Sequence, residues 1–319
     1  MNILVTGAAG FIGSALCKKL SEEGHTVIGI DNYNDYYDVQ LKHDRVAALI
    51  PDIKLVEGDF GDAELLTKLF SEHSFDVVCH LAGLAGVRYS AEYPQKYIDN
   101  NVIKFVSLLE VMKNNDCRRV VFASSSSVYG NDTDAPFSED SAASSPESVY
   151  AATKRTGELL LHSYFSQYGI QSTALRFFTV YGPWSRPDMM MLKFALKIEA
   201  GESIPVYNKG DLRRDFTYID DIVNGFILSV EKPLGCEIIN LGGGRPVQLL
   251  DIISTIENSL QKQTQHELLP MQVGDVYETY ADTTKAKDLI GFEAKVDLTA
   301  GIERFVDWFN EYYTDIAVS

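Results

Sequence analysis

Basic side chains are scarce in this chain. Lys and Arg number 28 against 45 Asp and Glu over 319 residues, a formal net charge of −17. That balance repels polyanions, so nucleic acid and anionic membrane surfaces are excluded as partners. Cysteine is equally thin: Cys17, Cys79, Cys117 and Cys236 lie far apart and form no C-x-x-C pair. They read as reduced thiols, not as a disulfide framework. The six histidines lack metal-ligand spacing, so no metal is expected. No apolar run approaches the roughly 18 residues of a membrane-spanning helix. The opening residues carry no signal-peptide pattern, and a cytoplasmic location is the expectation. Internal repeats and low-complexity segments are absent. What is left, 45% hydrophobic and 23% charged, is ordinary for a soluble globular protein. The length suits one large α/β domain or two smaller ones.

The most informative stretch present is Gly7-Ala8-Ala9-Gly10-Phe11-Ile12-Gly13. It follows a short apolar strand candidate, Ile3 to Val5, and opens a helix candidate from Phe11. Glycine permits a tight turn and a close approach of backbone to a pyrophosphate, and a helix N-terminus offers free N–H groups and a positive dipole end. Asp31 ends a second strand candidate, Val27 to Ile30. A carboxylate there accepts hydrogen bonds from ribose hydroxyls and repels a 2′-phosphate, which favours NAD over NADP. A tight strand-to-helix turn with no ligand carries the same glycines; the strand before, helix after and acid downstream argue against that reading.

Short apolar runs alternate with helix-like segments through the first half. Strand candidates are Ile3–Val5, Val27–Ile30, Ile53–Glu57, Val77–His80, Arg119–Ala123 and Ser172–Arg176; helix candidates fall near 11–23, 62–73, 95–115 and 149–168. The alternation predicts parallel strands with crossover helices on both faces. Gly7, Asp31, Asp59, Ala82 with Gly83, Ser124–Ser127 and Thr179 each follow a strand, so glycines, acids and hydroxyls collect at the carboxyl edge, where open parallel sheets bind ligands. Beyond residue 179 the pattern loosens at Pro183, Pro187, Gly201 and Pro205. Val206 to Tyr218 looks strand-like, Asp220 to Val230 helical and Ile238 to Leu241 a returning strand, with tail helices near 249–260 and 299–313. The expected architecture is a Rossmann-type doubly wound parallel sheet with a smaller C-terminal α/β substrate domain. Residues 1–178, plus about 219–242, form the first part; 179–218 and 243–319 form the second.

Tyr150 and Lys154 stand one helical turn apart on one face. Free tyrosine titrates near 10, too high for a base at neutral pH, and a neighbouring ammonium or a cationic nicotinamide favours the phenolate. A serine cluster lies upstream in Phe122-Ala-Ser-Ser-Ser-Ser-Val-Tyr-Gly130.

These motifs resemble the short-chain dehydrogenase/reductase superfamily, and the first half resembles its extended, nucleotide-sugar branch. The resemblance implies a Ser–Tyr–Lys catalytic set: Ser125 with Tyr150 and Lys154, with Ser126 and Ser127 as rivals for the serine. It implies NAD contacts from Gly7, Gly10, Phe11, Ile12, Gly13, Asp31, Asn32, Asp59, Phe60, Leu81, Ala82, Gly83, Asn100, Tyr150 and Lys154. Ala82-Gly-Leu-Ala-Gly-Val-Arg88 and Gly210-Asp-Leu-Arg-Arg-Asp-Phe-Thr-Tyr-Ile-Asp-Asp221 match its sugar-nucleotide loops. The resemblance as a whole implies substrate contacts from Gly86, Val87, Arg88, Thr179, Arg186, Lys193, Arg213, Arg214, Asp275 and Tyr277, with Arg214 on the diphosphate. Residues 176–214 hold seven Lys/Arg against four acids, which reads either as a diphosphate seat or as a solvated basic face.

Nucleotide-sugar 4,6-dehydratases carry Asp and Glu at the positions of Ser126 and Ser127, and UDP-glucuronate decarboxylases carry Glu at that of Ser127. Neither is acidic here, which suits an enzyme that only removes and returns a hydride. Arg176-Phe-Phe-Thr-Val-Tyr-Gly-Pro-Trp-Ser-Arg-Pro-Asp-Met189 resembles UDP-glucuronate 4-epimerases, apart from Ser185, where glycine is commoner. That resemblance implies UDP-glucuronate to UDP-galacturonate epimerisation at C4, with Thr179 and Arg186 on the carboxylate, in a homodimer. The alternatives are a UDP-glucose or UDP-N-acetylglucosamine 4-epimerase, a UDP-glucuronate decarboxylase and a non-catalytic NAD-binding sensor. Tyr33, Tyr36 and Tyr37 are expected to line a loop near the cofactor, and Trp184 to pack.

Overall fold

Ile3 and Val5 bury on one face of the first strand and Leu4 on the other, each fully shielded, because successive side chains of a strand point to opposite faces. Both faces must therefore be covered. The computed structural model describes residues 1–131, 133–271 and 277–318, with side chains through 313. Its strands are β1 (Asn2–Thr6), β2 (Thr26–Asp31), β3 (Lys54–Glu57), β4 (Val77–His80), β5 (Arg119–Ser125), β6 (Gln171–Phe177), β7 (Thr179–Tyr181), β8 (Ile204–Val206), β9 (Arg213–Tyr218), β10 (Cys236–Leu241), β11 (Pro246–Gln248), β12 (His266–Leu268) and β13 (Glu278–Thr279). Its helices are α1 (Phe11–Glu22), α2 (Val39–Leu49), α3 (Ala63–Glu72), α4 (Val87–Glu92), α5 (Pro94–Ile98), α6 (Lys104–Asn114), α7 (Val149–Tyr168), α8 (Met190–Glu199), α9 (Ile219–Glu231), α10 (Leu249–Leu260), α11 (Thr284–Ile290) and α12 (Leu298–Val318).

Seven strands form one parallel sheet in the order β10-β6-β5-β4-β1-β2-β3. The order reverses beside β1, and the crevice of a doubly wound sheet opens at that point. β10 lies parallel to β6, so the chain does return to the sheet after its excursion. β7, β9, β11 and β13 make a smaller sheet, and β8 pairs with β12. One apolar cluster runs from Ile3 and Val5 through Ile222 and Phe226 to Phe305 and Phe309. Packing is therefore continuous across the expected domain division.

The structure departs from the sequence reading at several places. The helix expected over 95–115 is interrupted by a π-helical turn at Asp99–Ile103, between α5 and α6. Such turns insert a residue and re-aim side chains; Asn100 reaches the cleft while Asn101 turns inward. The strand expected over Val206–Tyr218 is broken by Asn208 and Lys209 at φ 48° and 53°. α2 had no visible apolar stripe, because it buries Leu41, Lys42 and Arg45, two of them charged. α8 buries Met191, Leu192, Phe194, Ala195 and Ile198 at helical spacing, a signal obscured by the flanking prolines.

Candidate active site

A cleft of about 360 Å³ opens along the carboxyl edge of the large sheet. At one end the glycine turn leads into α1. Gly7 sits at φ +73°, and a Cβ there would fall 2.8 Å from the Ala82 nitrogen. A Cβ at Gly13 would collide with the Gly7 carbonyl oxygen. Only glycine lets α1 start this close to β1. Gly10 caps α1 with no side-chain hydrogen bond, and no acid occupies the first turn, so its amides face the cleft uncompeted. Asp31 accepts from the Ala9 and Tyr33 amides at 3.0 and 2.9 Å and lines the same end.

The end of the cleft that holds the candidate catalytic residues lies on β5 and α7. Ser148 caps α7, accepting from the Ala151 amide at 3.1 Å, and this fixes where the helix begins. Tyr150, in its first turn, is half-buried in the cleft wall, which Ser125 also lines. Burial raises the phenol above its ordinary value; Ser125 and the Arg186 charge pull the other way. Lys154 is 7% exposed and donates to the Ala123 carbonyl at 2.7 Å. Burial brings its ammonium down to about 8, and Glu158, one turn further along α7, opposes that shift. Asn101 ties this helix to the loop after β4, bonding Leu84 amide and carbonyl at 2.8 and 2.9 Å and Thr153 at 3.1 Å.

Ser125 lines the cleft; Ser126 and Ser127 do not. The 3-10 turn that begins at Ser126 carries them away, and the Ser127 hydroxyl donates to Ser125 Oγ at 2.9 Å. Of the cofactor candidates, all but Asp59 line the cleft. The Asp59 carboxylate is taken by the Gly61 amide at 2.8 Å and by Lys104 at 2.5 Å. Tyr36, Tyr37 and Lys42 join the lining. The lysine was missed with α2, and the Asp38 cap at its start is the signal that could have found it. Tyr33 stacks on His43 outside the lining, and Trp184 packs on Trp308 and Tyr312.

Among the substrate candidates, Gly86, Val87, Thr179 and Arg186 line the cleft. Arg213, Arg214 and Tyr277 gather at β9 and β13, where the Tyr277 carbonyl accepts from Arg214 at 3.2 Å and the Tyr277 hydroxyl donates to Asp211 at 3.1 Å. Arg88 lies 6.0 Å from the Tyr207 ring, and Lys193 is on the exposed side of α8. Asp275 lies outside the described residues. The basic excess over 176–214 does not converge on one seat: Arg176 pairs with Glu158, Arg186 with Asp188, Lys197 with Glu202 and Arg213 with Glu278.

Residues 3–242 match the NAD dependent epimerase/dehydratase family. UDP-glucuronate 4-epimerase 4 of Arabidopsis thaliana is 44% identical over 98% of this chain and 76% of its own length. The crystal structure of UDP-glucuronic acid 4-epimerase from Bacillus cereus, with UDP-glucuronic acid and NAD, superposes with a TM-score of 0.91. It shares 36% identity and covers 98% of this chain and 100% of its own. That of UDP-glucose 4-epimerase from Thermotoga maritima, with UDP-glucose, gives 0.90 at 31% identity, covering 98% and 100%.

Proposed function

This chain belongs to the NAD dependent epimerase/dehydratase family, and we propose that it interconverts UDP-glucuronate and UDP-galacturonate by inverting C4 of the sugar. Its cofactor is NAD. The residues present fit that group: Gly7, Gly10 and Gly13 have no room for a Cβ, α1 presents uncapped amides, and Asp31 lines the same end of the cleft, where it would accept from the ribose. Bound there, the dinucleotide supplies reversible hydride acceptance and is regenerated within each turnover.

In this reading the part formed by 1–178 and 219–242 holds the dinucleotide, and 179–218 with 243–319 holds the UDP-sugar. Tyr150 takes the C4 hydroxyl proton as the C4 hydrogen leaves as hydride, and Ser125 hydrogen-bonds the oxygen that becomes a ketone. Lys154 stabilises the phenolate. Arg88 and Arg214 keep the diphosphate while the 4-keto ring turns over; hydride returned to the other face, with the proton given back by Tyr150 to the oxygen, gives the epimer. The transient ketone is a β-keto acid, which loses carbon dioxide readily; Thr179 and Arg186 hold its carboxylate out of alignment with the carbonyl.

The observation that carries this reading is the cleft's charge. Asp31 is the only carboxylate among the described residues that line it, and it lies at the ribose end, while Arg186 and Thr179 line the cleft together with Tyr150. Among the described residues, no carboxylate lines the cleft beside Tyr150, which fits an enzyme that removes and returns a hydride. One feature favours a neutral hexose as the alternative substrate: Arg186 is already paired with Asp188. Incubation with UDP-glucuronate without added NAD, followed by separation of products, decides. UDP-galacturonate is expected; UDP-xylose or unchanged substrate would refute the reading. Arg186→Ala should lower kcat/KM on UDP-glucuronate about tenfold to a hundredfold more than on UDP-glucose, the loss of a charge-assisted hydrogen bond. Equal losses would remove the arginine from carboxylate recognition.

Association into a homodimer is part of the proposal. Ile98, Ile103 and Leu159 are exposed by 39, 55 and 55% on adjoining parts of α5, the π turn and α7, an apolar face suited to a second copy. Leu159→Arg should convert a dimer to a monomer in sedimentation velocity; a wild-type monomer would dismiss this. No helix among the described residues is long and apolar enough to cross a membrane, and a cytoplasmic location is proposed.

A further inference from the structure

Arg186 is half committed before any substrate arrives. Its Nε and Nη2 atoms donate side-on to the two oxygens of Asp188, at 2.9 and 3.0 Å. Asp188 accepts a third hydrogen bond from the Tyr36 hydroxyl, at 3.1 Å. Tyr36 comes from the loop after β2, at the dinucleotide end, and its own amide is fixed by Asn34 at 2.9 Å. Its hydroxyl lies so close to Gly86 that a Cβ there would stand 2.6 Å away. A guanidinium carries donors on two usable edges. Asp188 takes the side edge, and the end-on edge, with Nη1, remains for another planar acceptor.

We propose that Asp188, steadied by Tyr36, is a positioning and specificity-determining residue that tempers the grip of Arg186 on the substrate's carboxylate. The proposal rests on the hexuronate reading above. A hexuronate whose ring turns over between the two hydride transfers carries its carboxylate with it. A guanidinium with both edges open and its charge unbalanced would clamp that carboxylate in one orientation, because bidentate charge-assisted pairs are the strongest of their kind. Paired with Asp188, Arg186 offers one edge and little net charge. It recognises the acid and releases it within the turnover.

The test uses the full-length protein with bound NAD. Asp188→Asn should lower KM for UDP-glucuronate about fivefold and kcat about tenfold, the pattern of a ground state held too tightly. Reduced nicotinamide should accumulate during turnover, read by its near-ultraviolet absorbance, and KM for UDP-glucose should stay unchanged. Tyr36→Phe leaves the Arg186–Asp188 pair in place and should move the same quantities the same way by less; it serves alone if Asp188→Asn does not fold. A raised KM with lowered kcat would mean that Asp188 merely props the arginine and would overturn the proposal, as would parameters unchanged from the wild type. A wild-type protein inactive on UDP-glucuronate would overturn the hexuronate reading and this inference together; an active wild type with an unaltered Asp188→Asn variant would overturn this inference alone.

Discussion

Tyr150→Phe should lower kcat by about 10²–10⁴-fold, or about 2.7–5.4 kcal/mol of barrier, with NAD still bound. The substitution removes one oxygen. The ring keeps its packing, edge-on to Tyr97 with centroids 6.3 Å apart. Tyr97 holds its own place by donating to the Ala85 and Gly86 carbonyls at 2.8 and 3.0 Å, so it has no proton-accepting role to take over. Lys154 remains anchored to Ala123. What disappears is the hydroxyl that lines the cleft with Ser125, and with it the proposed acceptor for the sugar's proton. Burial alone disfavours the phenolate, so the base depends on the cationic groups gathered round it, bound nicotinamide included. Steady-state rates on UDP-glucuronate, beside NAD content of the purified variant, make the measurement. A variant within tenfold of the wild type would strip Tyr150 of the role.

Glu158→Ala should cost about 3–5 kcal/mol of folding stability, a large share of the about 5–15 kcal/mol available to a domain. Glu158 is 3% exposed. It accepts from Ser124 Oγ at 2.6 Å, from Arg176 Nε and Nη2 at 2.9 and 2.8 Å, and from Arg155 at 2.9 Å. Arg176 is 1% exposed, lies 4.6 Å from the Tyr129 ring centroid and has no hydrogen-bond partner for Nη1 among the described residues. Without the carboxylate its charge is buried and uncompensated, which is the costly way to break such a pair. Urea unfolding gives the number. Joint replacement, Glu158→Leu with Arg176→Met, should recover more than half of the loss, since apolar substitutes for both partners are tolerated far better than one orphaned charge. A single-variant loss under about 1 kcal/mol would mean that water reaches the pair. Burial would raise the Glu158 carboxyl, but Arg176, Ser124 and Arg155 outweigh it and hold it below its ordinary value of 4.5. Its stabilisation is therefore complete above pH 4.5 and is lost as pH falls through the lower folded value.

Much of the cleft was legible in the chain because its signals are local. The glycines between β1 and α1, the acid ending β2 and the Tyr150–Lys154 pair each depend on spacing within one element or one turn, and strand alternation sets which edge receives them. All six strand candidates of the first half appear, Val77–His80 unchanged and the others with ends within two residues of those expected. Within Ser125–Ser127, composition alone could not choose; the 3-10 turn beginning at Ser126 leaves Ser125 facing Tyr150.

The sequence by itself determined a parallel sheet, a glycine turn between β1 and α1 and a tyrosine one helical turn from a lysine, since each follows from residues a few positions apart. Only the tertiary structure decided which charges meet: Glu158 with Arg176 beneath the catalytic strand, and Tyr36 with Asp188, 152 positions away, beside Arg186. Hydrogen bonds and ion pairs act over a few ångströms of space, whatever the distance along the chain. Which groups come that close is set when the crossovers pack both faces of the sheet and bring its loops to one edge.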